Sequence, residues 1–198
     1  IFLTICDLLG GFLKKNICVF GGSVSGKNLK YKKTAKIIGK TIAENNFNLV
    51  FGGGQNGIMG AVSRSCIENG ATTIGIIPHF LLKKDIKDLA HSKKFNTKLI
   101  QTETMHQRKK LMYDKSDGFI ILPGGIGTLD ECFEVLTWCQ LSQIKNKNIG
   151  IINFEGYWDP LINLINHLIE EEFMGSNNLN NFKEINDIKM LNFFLKGI

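Results

Sequence analysis

Hydrophobic positions along the chain fall into two kinds of run. Short, nearly unbroken apolar runs occupy Asn16–Phe20, Asn48–Phe51, Thr72–Ile77, Thr97–Thr102, Gly118–Leu122 and Asn148–Asn153. Longer stretches with apolar residues at helical spacing lie between them, at Lys30–Asn45, Gly57–Asn69, Thr104–Lys115, Thr128–Leu141 and Tyr157–Phe173. Strands alternating with helices of this length predict βαβ units. Runs such as Phe119-Ile120-Ile121-Leu122 have no polar alternate positions, so these strands are buried on both faces, as a mostly parallel sheet requires. The expected fold is a single Rossmann-like α/β domain with helices on both faces of the sheet. It spans residues 1–198, with a core over 16–175. The segment Gly175–Asn181 is rich in Asn and reads as a loop, Ile185–Leu195 as a last short helix, and 176–198 together as a tail.

Composition narrows the class. The chain has 198 residues, 43% of them hydrophobic, which suits one sizeable core. The net charge of +6 comes from scattered Lys pairs such as Lys83-Lys84 and Lys109-Lys110. No block reaches the length of a nucleic-acid tail, so the charge reads as a solvated surface with some attraction for phosphorylated small molecules. The five Cys, with no CxxC, read as reduced residues of a cytoplasmic protein. The four His are dispersed, so no metal is expected. No apolar run approaches the length of a membrane span. Ile1–Leu13 is apolar but broken by Asp7 and Gly10-Gly11; residues 1–15 read as a peripheral extension rather than a signal peptide.

Three glycine-rich turns follow three of the strands, and in an open parallel sheet they meet on the rim where ligands bind. Gly21–Asn28 nearly matches GxxxxGK[ST], but Asn28 cannot supply the magnesium-binding hydroxyl. Gly52–Gly57 satisfies GxGxxG, yet the next strand runs into Pro78-His79 where a dinucleotide site needs an acidic residue. Pro123-Gly124-Gly125-Ile126-Gly127-Thr128-Leu129-Asp130-Glu131 is the most informative stretch. Its glycines free the backbone to turn amides inward, and a helix beginning at Thr128 offers unpaired N–H groups to a phosphate. The same residues, Thr128-x-x-Glu131, also read as a capping box in which Glu131 only satisfies the backbone.

PGGxGTxxE at Pro123–Glu131, together with Met105-His106-Gln107-Arg108-Lys109 upstream, resembles the LONELY GUY (LOG) family of cytokinin riboside 5'-monophosphate phosphoribohydrolases, formerly labelled lysine decarboxylases. Val19–Ser23, Gly52–Gly60, Leu136–Leu141 and Asn153–Tyr157 extend the resemblance over roughly residues 17–173, although Gly21 and Cys139 stand where the family usually has Cys and Ala. The resemblance implies a homodimer without metal or redox cofactor, acting on a nucleoside 5'-monophosphate. Substrate contacts carry over to Ser23, Arg108, Lys109, Gly124, Gly125, Ile126, Gly127, Thr128, Leu129, Asp130, Glu131 and Thr137, and an acidic family position to Asp85. Arg108 and Glu131 are the implied catalytic pair; His106 is left outside it. A carboxylate at Glu131 suits the oxocarbenium-like charge that builds when a glycosidic bond breaks, and Arg108 offers a planar fork for an anion. The base is not fixed by these motifs. The alternative from another class is a non-catalytic carrier of a phosphorylated cofactor, of the molybdenum-cofactor-carrier type. The apolar positions Phe133, Leu136, Trp138 and Leu141 read either as core packing or as the dimer interface.

Overall fold

The computed structural model describes residues 14–82, 97–141, 147–175, 179–180 and 182–198. The strands are β1 (Asn16–Phe20), β2 (Asn48–Phe51), β3 (Thr73–Pro78), β4 (Thr97–Thr102), β5 (Gly118–Ile121), β6 (Asn148–Ile152) and β7 (Phe182–Ile185). The helices are α1 (Leu29–Glu44), α2 (Gly57–Glu68), the single turn α3 (His79–Leu82), α4 (Met105–Asp114), α5 (Ile126–Gln140), α6 (Asp159–Glu170) and α7 (Ile188–Lys196). The strands form one sheet in the order β4-β3-β2-β1-β5-β6-β7, and every pairing is parallel. The chain therefore winds outward from β1 to β4, returns to the other side of β1 with β5, and winds outward again. That reversal opens a crevice beyond the carboxyl ends of β1 and β5.

The apolar runs explain why this sheet is stable. Successive residues of a strand face opposite sides, so a run without polar interruptions feeds two cores. Ile17 and Val19 of β1 and Ile120 of β5 join Ala35, Ile38, Val62 and Leu195 on the face of α1, α2 and α7. Cys18 and Phe20 of β1, with Phe119 and Ile121 of β5, join Met112, Tyr113, Cys132, Val135 and Leu161 on the face of α4, α5 and α6. Cys18, Cys66 and Cys132 are buried free thiols and Cys139 is partly exposed, among the described residues.

Two elements escape the sequence pattern, the single turn α3 (His79–Leu82) and the strand β7. β7 lies inside the stretch read as a tail; it pairs with β6 and forms one edge of the sheet, opposite β4. Its residues, Phe-Lys-Glu-Ile, alternate in burial and end on the buried Ile185. Four half-buried residues after an Asn-rich loop make too short a run for the apolar criterion. The helix that follows, read as Ile185–Leu195, starts at Ile188 behind the Asp187 cap and buries Leu191, Phe194 and Leu195. Among the described residues no helix is long and apolar enough to cross a membrane.

α1 and α2 cross closely at Gly39. A Cβ there would stand 2.5 Å from the Val62 carbonyl and 2.8 Å from the Ser65 Cβ. Ser65 Oγ also donates to the Lys36 carbonyl at 2.6 Å, so the two helices cannot easily separate to make room. Gly39→Ala is predicted to lower stability by about 1–3 kcal/mol through overpacking, outweighing the roughly 1 kcal/mol preference of helices for Ala. Chemical denaturation measures this; an unchanged or raised midpoint contradicts it.

Candidate active site at the carboxyl rim of the sheet

Every helix follows the carboxyl end of a parallel strand, and the three that follow the glycine-rich loops, α1, α2 and α5, have their N-termini treated differently. At α1, Asn28 occupies the position where a P-loop has Ser or Thr, and its side chain accepts from the Lys30 amide at 2.9 Å. At α2, the Ile58 and Met59 amides donate to the Gly22 carbonyl at 2.9 and 3.2 Å. At α5, the N-cap is Gly125 and no side chain caps the first turn. Gly125, Ile126 and Gly127 are exposed. Because the first amides of a helix have no partners within it and carry partial positive charge, α5 is, of these three, the terminus left open to an anion. Of the two readings of Thr128-x-x-Glu131, the capping box is therefore excluded. The helix starts two residues before Thr128, which stands buried in the first turn, and Glu131 lies in the second turn.

The loop before α5 is tied down from several directions. Gly22 N–H donates to the Pro123 carbonyl at 3.0 Å. The Tyr157 hydroxyl donates to the Gly124 carbonyl at 2.6 Å. Thr128 and Leu129 amides donate to the Gly125 carbonyl at 3.0 and 3.1 Å. Gly124 must be Gly, since a Cβ would meet the Thr128 side chain and the Gly22 amide. Beside this loop lies a cleft of about 350 Å³, lined by Gly22, Ser25, Lys27, Tyr31, Gly125 and Tyr157 among others.

Arg108 and Glu131 face each other in the second part of the site. Both residues are about 7% exposed. Arg108 projects from α4 beneath the ends of β2 and β3. Its Nε donates to the Ile76 carbonyl at 3.2 Å and its Nη2 to the Gly52 carbonyl at 3.4 Å. A Cβ on Gly52 would collide with Nη2, so the glycine of the second loop makes room for the guanidinium. Glu131 Oε1 lies 3.8 Å from Nη2, an ion pair too long for a good hydrogen bond. Burial pushes the Glu131 carboxyl up, Arg108 pulls it down, Asp130 raises it, Lys109 lowers it and Glu134 raises it; the balance is a pKa of about 7. A carboxyl poised there exchanges a proton readily near neutral pH, which suits general acid–base work.

Lys109 takes a different place from Arg108. Its ammonium is bonded to Glu134 at 2.7 Å and to Asp130 at 3.0 Å. Burial works against its charge, but Glu134 and Asp130 outweigh that and raise its pKa. Tyr113 also donates to Glu134, at 2.7 Å. Lys109 thus ties α4 to α5 and holds the helix that carries Glu131. Glu134 is absent from the residues that the sequence motifs single out, although Asp130 and Glu134 are one turn apart and so share a helix face.

Not every expected residue converges on the pair. Ser23 is exposed on the first loop, and Leu129 is partly buried in the first turn of α5. Thr137 is exposed, six positions after Glu131, which places it roughly 120° around the helix; its hydroxyl donates to the Phe133 carbonyl at 2.7 Å. Asp85 lies outside the described residues. Among the described residues, no group of acidic, His or Cys side chains has the geometry of a metal site.

The raised Glu131 pKa links to stability. The folded protein holds this proton more tightly than the unfolded chain. The resulting stabilisation is complete below the ordinary carboxylate range and is lost as pH rises through about 7. Unfolding free energies of wild type and Glu131→Gln, measured by urea denaturation, should shift relative to each other by up to about 3 kcal/mol in favour of Gln between about pH 4 and about pH 8. A difference that stays constant with pH contradicts the assignment.

Comparison with known proteins places this geometry in a family. Residues 59–192 match the family model described as "Possible lysine decarboxylase". The chain is 41% identical over 160 residues to the cytokinin riboside 5'-monophosphate phosphoribohydrolase LOG1 of Arabidopsis thaliana, covering 81% of this chain and 72% of that one. It is 40% identical over 160 residues to LOG3 of the same plant, with the same coverage. Among solved structures, the molybdenum cofactor binding protein of Rippkaea orientalis superposes with a TM-score of 0.63 at 20% identity, covering 93% of this chain and 97% of that one, a likeness of fold. The loop Pro123–Glu131, the buried pair it carries with Arg108, and the identity to these relatives together establish that the chain belongs to the LOG family of phosphoribohydrolases.

Proposed function

We propose that this chain hydrolyses the N-glycosidic bond of a nucleoside 5'-monophosphate, cytokinin riboside 5'-monophosphate or AMP-like, giving free base and ribose 5-phosphate. The observation that carries the reading is the juxtaposition of an uncapped helix N-terminus with a buried carboxylate two turns or less along the same helix. The 5'-phosphate docks on the amides that open α5. Glu131, farther along α5, stands near C1', where its carboxylate stabilises the oxocarbenium-like charge and takes a proton from the attacking water. Arg108, anchored by two main-chain carbonyls, orients Glu131 and keeps enough of it ionised. The reaction exchanges a C–N bond for a C–O bond, and the leaving base takes up a proton.

The relatives are named phosphoribohydrolases, which sets aside the lysine decarboxylase reading carried by the description of the family model. The carrier reading has the fold in common and nothing more, since a carrier has no use for a buried carboxylate tuned to about 7.

The proposal extends to a homodimer formed through α5. Ile126, Phe133 and Leu141 are exposed, and with Thr137 they follow one another at helical spacing, the pattern of a helix that packs against a partner. Thr137, turned away from Glu131 in its own chain, would then face the other subunit. The four described Cys are unpaired, which fits a reducing cytoplasmic setting.

Purified protein incubated with AMP or N6-isopentenyl-AMP should release base and ribose 5-phosphate in equal amounts, and the faster substrate identifies the base. Glu131→Gln and Arg108→Ala should each lose at least about a hundredfold in kcat. Release of base by the variants at the wild-type rate contradicts the roles of Glu131 and Arg108, and cadaverine from lysine contradicts the reaction. Sedimentation should show a dimer at micromolar concentration that Phe133→Asp weakens; a monomeric wild type contradicts the interface.

A further inference from the structure

Three successive peptide units precede α5, and each has its carbonyl held by a different partner. The Pro123 carbonyl is held by the Gly22 amide at 3.0 Å, and the Gly125 carbonyl by the first turn of α5. The Gly124 carbonyl is held by the Tyr157 hydroxyl at 2.6 Å. In a trans peptide the C=O and the following N–H point in opposite directions. Fixing one therefore aims the other. The Gly124 carbonyl and the Gly125 amide belong to one peptide flanked by glycine on both sides, the arrangement that turns over most easily. If that peptide turned over, an anion would meet a carbonyl lone pair in place of a donor. Among the three restraints, only the one from Tyr157 comes from a side chain.

Tyr157 is itself held firmly. Gly156 has a φ of +66°, and a Cβ there would lie 2.8 Å from Asp159 Oδ2, so the turn before Tyr157 depends on glycine. Asn153, 6% exposed, braces the turn. Its Nδ2 donates to Asp159 at 2.7 Å and to Glu184 at 2.8 Å, and its Oδ1 accepts from the Trp158 amide at 2.8 Å. The Tyr157 ring packs edge-on against Tyr31 at 5.2 Å and Trp158 at 4.7 Å between centroids.

We infer that Tyr157 is a positioning residue for phosphate recognition: its hydroxyl holds the Gly124–Gly125 peptide so that the Gly125 amide faces the 5'-phosphate. This rests on the nucleotide reading of the site and adds to it the device by which a phosphorylated substrate is told from an unphosphorylated one. The carboxylate and guanidinium are untouched by it, so the effect belongs to binding rather than to the chemical step.

The test compares wild type, Tyr157→Phe and Tyr157→Leu. Binding of ribose 5-phosphate and of ribose is measured by calorimetry, KM and kcat with the better nucleotide, and thermal midpoints for all three proteins. Tyr157→Phe keeps the ring and loses only the hydroxyl. It should weaken ribose 5-phosphate binding and raise KM by about tenfold, with kcat within about threefold and the thermal midpoint nearly unchanged. If Tyr157→Phe behaves as wild type while Tyr157→Leu loses stability, the ring merely packs and the inference is overturned. A wild type that binds neither ribose 5-phosphate nor nucleotide overturns the underlying reading as well, which separates the two failures.

Discussion

A carboxylate kept from water opposite a guanidinium that does not fully neutralise it is the constraint on which the rest of this structure turns. A single buried carboxylate is costly unless it is paired or protonated. Glu131 is left between those limits. Arg108 is 3.8 Å away, close enough to favour the charged form and too far to complete a bidentate pair. Much of the surrounding architecture serves to hold that spacing. The carbonyls of Gly52 and Ile76 fix the guanidinium from the sheet side. The Lys109 contacts with Asp130 and Glu134 fix α5 relative to α4 from the other. Shortening the pair would drive Glu131 to a permanently ionised state. Separating it would leave it protonated and useless as a base.

The second organising feature is the allocation of helix N-termini. A doubly wound sheet delivers several of them to one rim, and each is a potential anion site. In this chain α1 is closed by Asn28 and α2 by the Gly22 carbonyl, while α5 is left open. The P-loop-like and GxGxxG-like segments therefore have structural employment: one supplies a cap, the other makes room for Arg108. Selectivity among superficially similar glycine loops comes from which amides are already bonded.

The same physics separates what is legible in the sequence from what is not. Parallel strands buried on both faces write themselves as nearly unbroken apolar runs, so β1, β2, β3, β5 and β6 are visible; the edge strand β4 shows only through Leu99 and Ile100, and the helices of ten residues or more between the strands are visible as well. β7 is not, because an edge strand of four residues leaves only a short alternation. The pair Arg108 and Glu131 comes from motif spacing in the family resemblance. Periodicity cannot find them, since they sit on different helices and meet only through the winding of the sheet. The distinction between capping box and open terminus is likewise out of reach, because it depends on whether the helix begins at Ile126 or at Thr128. Lys109 and Arg108 are adjacent in sequence, yet Lys109 ties α4 to α5 through Asp130 and Glu134 while Arg108, held by main-chain carbonyls, faces Glu131; sequence adjacency does not tell the two apart. Tyr157 gives no chemical signal, because its partner is a main-chain carbonyl.

The most direct test of the central claim is the pH dependence of kcat/KM for the nucleotide, taken as the ratio of wild type to Glu131→Gln so that ionisation of the substrate phosphate cancels. The predicted ratio falls about tenfold per pH unit below a pKa of about 7, the value at which burial and Arg108 balance on Glu131. A ratio that stays level down to the ordinary carboxylate range would show that Glu131 is not the poised carboxylate, and the mechanism built on it would fall.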